Sequence, residues 1–239
     1  HRPFRRQRQM CIRDRYLGVT SQVDGNQSAQ TEVIKKKANN ISRKLNCCHM
    51  PHYYGHIHQL CSINPKLTYP LVASSMNNKQ LKSIQSIIHP SVIASKGFNR
   101  HWPEGLRYGN HKYCGLDLID FRVEQRLRKI QLIHKLLFHP KHKILIQSII
   151  EWYHISAGLT GQILANPSTT VNYVNSIWFN DLLYFMAKSQ ITIHTNDFFT
   201  INLQRNNNQS IMFAINKLNL SKQHKIQLNA CRLYLQVAT

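Results

Sequence analysis

In "SAQTEVIKKKANNISRKL" (residues 28–45), Ala29, Val33, Ile34, Ala38, Ile41 and Leu45 recur at helical spacing and build one apolar stripe. Lys35, Lys36 and Arg43 lie opposite that stripe, with Lys37 and Lys44 flanking it. Five cations without an intervening acid suit a phosphate-facing surface better than an ordinary solvated face. Just before, "YLGVTSQVDGNQ" (residues 16–27) joins β-favouring residues to Asp24-Gly25, which predicts a hairpin turn. A second helix is expected through "PHYYGHIHQLCSI". It should stop near Asn64-Pro65, because the residue before a proline avoids the helical region. A third, over "NNKQLKSIQSII", carries Leu81, Ile84 and Ile88 on one side and is expected to be interrupted by Pro90.

Residues 95–116, "SKGFNRHWPEGLRYGNHKYCGL", form a connection punctuated by glycine and proline. The longest helical pattern follows in "DLIDFRVEQRLRKIQLIHKLLF". Val123, Leu127, Ile130, Ile133 and Leu137 are predicted to face inward, with Arg122, Arg126 and Lys129 as an outward basic line. Glu124 and Arg128 are spaced for an i,i+4 pair. Another helix is predicted over residues 143–157, ending near Gly158, and then a polar linker over 160–170. "VNSIWFNDLLYFMAK" reads as a helix, "ITIHT" as a short strand, "LQRNNNQS" as a low-complexity loop and "SKQHKIQLNACRLYLQVA" as a closing helix. The predicted fold class is mainly α, with an N-terminal β-hairpin remnant.

Charge sharpens this picture. The chain carries 31 Lys and Arg against 10 Asp and Glu over 239 residues, a formal +21. Residues 1–15 hold six of the arginines and one aspartate, so the remainder still carries +16. Such a chain is attracted to polyanions, of which nucleic acid is the commonest inside cells. A fragment parted from an acidic partner domain is the alternative. Of six cysteines, Cys11 falls in the opening segment, and the other five lack the regular spacing of a disulfide framework. No secretory hydrophobic region and no run of membrane-spanning length occur, so an intracellular location, nuclear or cytoplasmic, is expected without a membrane partner.

"CCHMPHYYGHIHQLC" gathers Cys47, Cys48, His49, His52, His56, His58 and Cys61. Zinc commonly takes two short ligand pairs from separated turns, a spacing absent here, so surface histidines and buried thiols are the preferred reading. Were a metal bound, His52, His56, Cys48 and Cys61 would be its first candidates. Outside the opening segment the acids are Asp24, Glu32, Glu104, Asp117, Asp120, Glu124, Glu151, Asp181 and Asp197, with no adjacent pair. Asp117 and Asp120 stand at a helix start, where the dipole favours carboxylates. No glycine-rich phosphate loop and no nucleophile with an evident base occur. From the residues alone, the chain reads as a basic, mostly helical binding module without a complete active site.

"YLGVTSQVDGNQ" resembles the segment that closes the palm of non-LTR-type reverse transcriptases, where a strand pair bearing a Tyr/Phe-Leu-Gly motif grips the primer terminus. "SMNNKQLKSIQSIIHPSVIASKGFNRHWPEGLRYG" is the more specific match. It resembles the downstream region of reverse-transcriptase retroelements of diatoms and other aquatic eukaryotes, with their "KxGFNRxxPRAVxFGP" and "GGxGLxDLxxxQ" blocks. Lys96-Gly97-Phe98-Asn99-Arg100, Pro103, Gly109, Gly115-Leu116, Leu118 and Gln125 fit, whereas Glu104-Gly105 replaces the usual Arg-Ala. "LNACRLYLQVAT" is similar to the family's continuation, so the resemblance covers about residues 16–239.

That resemblance implies a retrotransposon RNA-directed DNA polymerase whose catalytic aspartates and Mg2+ belong to a palm upstream of Tyr16. This stretch would then hold RNA template and DNA primer, beside palm and fingers of the same polypeptide. Its parts would be a primer-grip remnant (16–27), a helical thumb (28–94), the connection (95–116) and a helical C-terminal region (117–239). The residues implied to touch nucleic acid are Tyr16, Leu17 and Gly18, the cations Lys35, Lys36, Arg43, Arg122, Arg126 and Lys129, and a cluster of Arg100, His101, Trp102 and Arg107. Trp102 and Phe98 could equally pin the connection onto the helices. Residues 1–15 have another expected origin. Arg5 to Asp14 reverse-translates unbroken as CGT CGG CAG CGT CAG ATG TGT ATA AGA GAC, which resembles a sequencing-library adapter, so this segment is expected to be disordered. A stand-alone basic nucleic-acid-binding protein and a metal-dependent enzyme using the Cys/His cluster remain the other classes.

Overall fold

A computed structural model describes residues 14–16, 19–21, 26–48, 50–159, 161–167, 171–194 and 209–237. The chain is mainly α-helical, as the periodicity predicts. Strand β1 (Asp14–Tyr16) pairs antiparallel with β2 (Val19–Ser21), placing Tyr16 opposite Val19. The expected turn at Asp24-Gly25 lies outside the described residues. The pairing also takes in Asp14 and Arg15, the last residues of the adapter-like segment.

Two compact units divide the chain, residues 1–128 and 129–239. In the first, helix α1 (Ser28–Cys47) packs chiefly against α4 (Asn78–Ser95). Ile34, Ala38 and Leu45 of the predicted stripe are buried in this interface, whereas Ala29, Val33 and Ile41 are half-buried. Gln30 is also buried and accepts from the Thr20 amide at 2.7 Å, tying the hairpin to α1. Across the pair the hydroxyls of Ser42 and Ser91 bond to each other. The start of α4 is fixed by a capping box in which Asn77 and Gln80 satisfy each other's backbone amides at 2.8 and 2.9 Å.

Neither proline ends its helix, contrary to expectation. Pro90 lies inside α4, which continues to Ser95. The carbonyl that loses its donor belongs to Ser86, an exposed residue, so water can take the place of the missing N–H. Near Pro65, α2 (His52–His58) passes through a π-helical turn (Gln59–Ile63) into α3 (Asn64–Thr68) and a 3₁₀ turn (Tyr69–Leu71). The Asn64 amide donates to the Gln59 carbonyl, five residues back. This wider turn relieves the register that a proline ring would obstruct in a continuous α-helix.

The glycine-rich connection is ordered by backbone pairing. Amides of Leu116, Asp117 and Leu118 donate to the carbonyls of Leu106, Gly109 and Arg107 at 3.1, 3.0 and 2.9 Å. Gly109 and Gly115 touch so closely that any Cβ on Gly115 would collide with the Gly109 carbonyl. The short helix α5 (Glu104–Arg107) sits inside this loop. Lys96 is buried, and its ammonium donates to the Leu116 carbonyl; burial lowers its pKa to about 8.

Helix α6 (Phe121–Leu137) buries Ile133 and Leu137 as predicted, but over its first turns a different line faces inward. Phe121, Gln125, Lys129, Ile133 and Leu137 form the buried i,i+4 line, whereas Val123 is 41% exposed. Lys129 is therefore not on an outward basic face. Its side chain is wholly buried, paired to Asp181 at 3.0 Å and 5.3 Å from the centroid of the Trp178 ring. Periodicity failed here because polar side chains occupy the inward line: Lys129 meets Asp181, and the Gln125 amide donates to the Ser74 carbonyl at 3.2 Å. The Glu124–Arg128 pair does form.

The second unit holds α7 (Lys143–Ala157), α8 (Ile177–Lys188), α9 (Ile211–Lys217) and α10 (Lys222–Leu235) around a core that includes Ile150, Tyr153, Leu182, Leu183 and Met186. Gly158 ends α7 in the left-handed conformation, as its sequence position suggested. Two expectations fail in this unit. Within the supposed polar linker, Ile163, Leu164 and Ala165 are buried. Among the described residues, 191–194 pair with no strand; the Ile193 amide donates to the Leu164 carbonyl, and its side chain is buried. Among the described residues no helix is long and apolar enough to cross a membrane.

Burial of Lys129 generates a stability test. Lys129→Ala should lower unfolding free energy by about 3 kcal/mol, because the Asp181 carboxylate loses its partner and a cavity opens. Lys129→Met should lose much less, since it refills the space and Asp181 retains some solvent contact. Urea unfolding midpoints of the two variants would check the order.

Candidate nucleic-acid interface

The first unit carries a groove built from three adjoining hollows. A cleft of about 330 Å³ opens between α4, the 100–108 loop and the start of α6, lined by Lys82, Gln85, His89, Arg100, His101, Glu104, Arg107, Tyr108 and Arg122. It shares Pro90 and Arg100 with a hollow of about 540 Å³ beside the ends of α1 and α4. That hollow shares Leu45, Cys48 and Met50 with a trough of about 850 Å³ between α1 and residues 58–69. The trough is edged by Lys37, Lys44 and Lys66. Seven Lys and Arg side chains thus line the groove, against one carboxylate, Glu104, among the described residues.

Local structure positions each wall. Gly97 leaves α4 with φ +83, a conformation that side-chain-bearing residues seldom adopt, and the His52 ring packs against it. Asn99 then accepts from the His101 amide at 2.9 Å, turning the chain so that Arg100 and His101 stand exposed over the cleft. The Arg107 Nε–H donates to the Trp102 carbonyl at 2.6 Å, clamping the loop. Arg122 grips Asp120, with Nη2 donating to Oδ2 at 2.7 Å. Despite its burial, that carboxyl is held below the usual aspartate range by hydrogen bonds from Arg122, aided by one from Gln85.

The predicted nucleic-acid residues divide into groups. Arg100, His101, Arg107 and Arg122 converge on the cleft. Trp102 is half-buried, packs on the first unit's core and meets Phe98 edge to face at 5.1 Å, so it does pin the loop. Lys36 and Arg43 are exposed on α1 outside the groove, and Lys35 pairs with Glu32 at 3.7 Å. Arg126 donates to Asn78 and to the Arg122 carbonyl, each at 3.1 Å. Lys129 belongs to the second unit's interior. Tyr16 lies in β1, whereas Leu17 and Gly18 lie outside the described residues.

Sequence reasoning passed over Lys37, Lys44, Lys66 and Lys82 as groove residues. The flanking position of Lys37 and Lys44 beside the apolar stripe was the available signal, since side chains at a stripe's edge border whatever hollow the stripe leaves. Lys66 and Lys82 gave none.

The thiols of Cys47, Cys48, Cys61 and Cys114 are exposed, which corrects the expectation of buried thiols at the first three. They sit on the outward sides of helix ends and turns. Among the described residues no three His, Cys, Asp or Glu side chains converge on a metal-sized point. His52 is engaged with the Ser95 carbonyl at 3.3 Å. The carboxylates nearest the groove are a poor set for Mg2+, because Asp120 is committed to Arg122 and Gln85, leaving Glu104 by itself. No catalytic step follows from such a set. No protein-family model, curated protein or solved structure matches the chain.

His89, on the cleft floor, makes edge contacts with Tyr108 and Phe121. Burial, with Arg107 nearby, lowers its pKa to about 4, against a partial opposing pull from Asp120. The unfolded chain therefore takes up this proton first as pH falls. The stability contributed by a neutral His89 is complete above about pH 6.5 and is lost progressively toward pH 4. The loss should reach roughly 3 kcal/mol. His89→Phe should flatten the pH dependence of unfolding free energy across that window relative to wild type, as measured by denaturant titration at each pH.

Proposed function

We propose that this chain binds nucleic acid along the groove of its first unit, holding a primer–template for a retroelement reverse transcriptase rather than performing chemistry itself. The observation that carries the reading is the groove's charge. Seven cations face one carboxylate along a continuous concave path, and a low-dielectric concavity concentrates potential that a convex surface would dissipate. A chain of phosphates is the polyanion whose length and repeating charge suit such a path.

The finer identity rests on the Lys96–Arg100 and Gly115–Leu118 motifs, whose residues have clear structural duties here. Gly97 turns the loop, Gly109 and Gly115 permit its closure, and Arg100 projects into the groove. These duties support the retroelement resemblance, because the matching residues are those that shape and charge the cleft. A stand-alone nucleic-acid-binding protein would use the same groove. A start codon near residue 16 in the genomic sequence would favour it, whereas an upstream Ala/Tyr-x-Asp-Asp palm motif would favour the polymerase parent.

Binding of a primer–template duplex across a salt series tests the groove. Residues 1–13 should be removed for this measurement, since their five arginines could mimic binding while β1 keeps its strand without them. Replacing Lys82 and Arg100 together by alanine should lower the salt slope by about two units, near 0.9 per lost phosphate contact. The outward set Lys35, Lys36 and Arg43, changed likewise, should leave it almost unchanged. The opposite order would move the interface to the outer face of α1, and no binding at low salt would remove the proposal.

A further inference from the structure

The groove's two ends differ in chemistry, and that difference bears on which nucleic acid it takes. The cleft end is small and ringed by arginines, which suits phosphates alone. The trough end is larger and has an apolar floor that includes Ile41, Leu45, Met50 and Pro65, with Tyr69 57% exposed at its edge. A duplex turns sugars and phosphates outward and stacks its bases inside, so its exterior offers nothing that would bury this floor. Unpaired bases expose apolar π-faces while their backbone still carries charge.

Resting on the nucleic-acid reading above, we infer that the trough takes the single-stranded extension of the bound nucleic acid. Unstacked bases lie on its apolar floor, with their phosphates along Lys37, Lys44 and Lys66. Charge complementarity supports this occupant: three lysines edge the trough, and no carboxylate among the described residues lines it. Continuity supports it further. The trough joins the arginine cleft through the hollow containing Arg100, so one polyanionic strand can follow both. An acidic amphipathic peptide would satisfy the trough but would leave the arginine cleft without a ligand. Tyr69 supplies the ring on which a base can stack, and its exposure means the fold does not depend on it.

The test compares a blunt duplex with the same duplex bearing a short single-stranded overhang, by fluorescence anisotropy on the full chain. The charged opening segment acts on both ligands, so the difference between them isolates the trough. The overhang should tighten binding about tenfold. Tyr69→Ala should weaken overhang binding about 5- to 10-fold, cancelling most of that gain, while blunt-duplex affinity and the thermal midpoint stay unchanged. Tyr69→Phe should retain the gain. Equal affinity for blunt and overhanging duplexes would overturn the inference and leave the groove proposal standing, as would equal weakening of both by Tyr69→Ala. Selective displacement of the overhang by an acidic amphipathic peptide but not by free single strand would assign the trough to a protein partner instead. Failure of both duplexes to bind would overturn the nucleic-acid reading and this inference together.

Discussion

Cations outnumber carboxylates threefold in this chain, so a buried positive group cannot count on a carboxylate partner. Backbone carbonyls serve in their place. Lys96 reaches the Leu116 carbonyl, Arg107 that of Trp102, and Arg126 that of Arg122. In the second unit, buried Arg232 donates to the carbonyls of Ile155 and Ser156 at 2.8 and 3.1 Å. Those carbonyls belong to the last turn of α7, where that of Ile155 also accepts from the Gly158 amide at 3.2 Å and the helix dipole favours positive charge. Gly158 completes the arrangement, since a side chain there would strike the Arg232 guanidinium.

Several of the few carboxylates are engaged by cations. Asp181 meets fully buried Lys129, and Asp120 fixes Arg122 at the head of α6. Glu124 and Glu32 engage Arg128 and Lys35 along their own helices. Arg122 apart, the groove cations form no ion pair among the described residues. Excess positive charge destabilises a compact chain by self-repulsion, and a polyanion lying along the groove relieves it. Fold and proposed ligand are linked through one electrostatic constraint.

The regular elements were largely legible in sequence because apolar periodicity reports burial directly. The stripe through Ile34, Ala38 and Leu45, the helix ending at Gly158 and the Glu124–Arg128 pair all follow from spacing. The misreadings have other causes, and the plainest is dependence on partners distant in sequence. Lys129 looked like a surface cation because Asp181 and Trp178 are remote from it. Pro65 and Pro90 looked like helix ends because neither the π-turn nor the exposure of Ser86 is encoded in the proline. Half of the cleft was visible as Arg100, His101, Arg107 and Arg122. The trough was not, because a concavity arises from the packing of α1 on the 58–69 segment, which has no periodic signature.

Net charge alone would make this chain a non-specific polyelectrolyte, attracted to any polyanion and released by salt. Concave placement changes what the charge can do. Lys36 and Arg43, exposed on α1, remain screened by water and ions on all sides. Arg107, half-buried, borders a recess floored by His89 and Tyr108, where water is partly excluded and the cation acts in a defined direction. His89 must remain uncharged for this to hold, since a further positive charge on the floor would oppose Arg107 at close range. Burial that suppresses the imidazolium therefore also protects the geometry of the cleft, and the same packing that stabilises the first unit sets the electrostatic character of its groove.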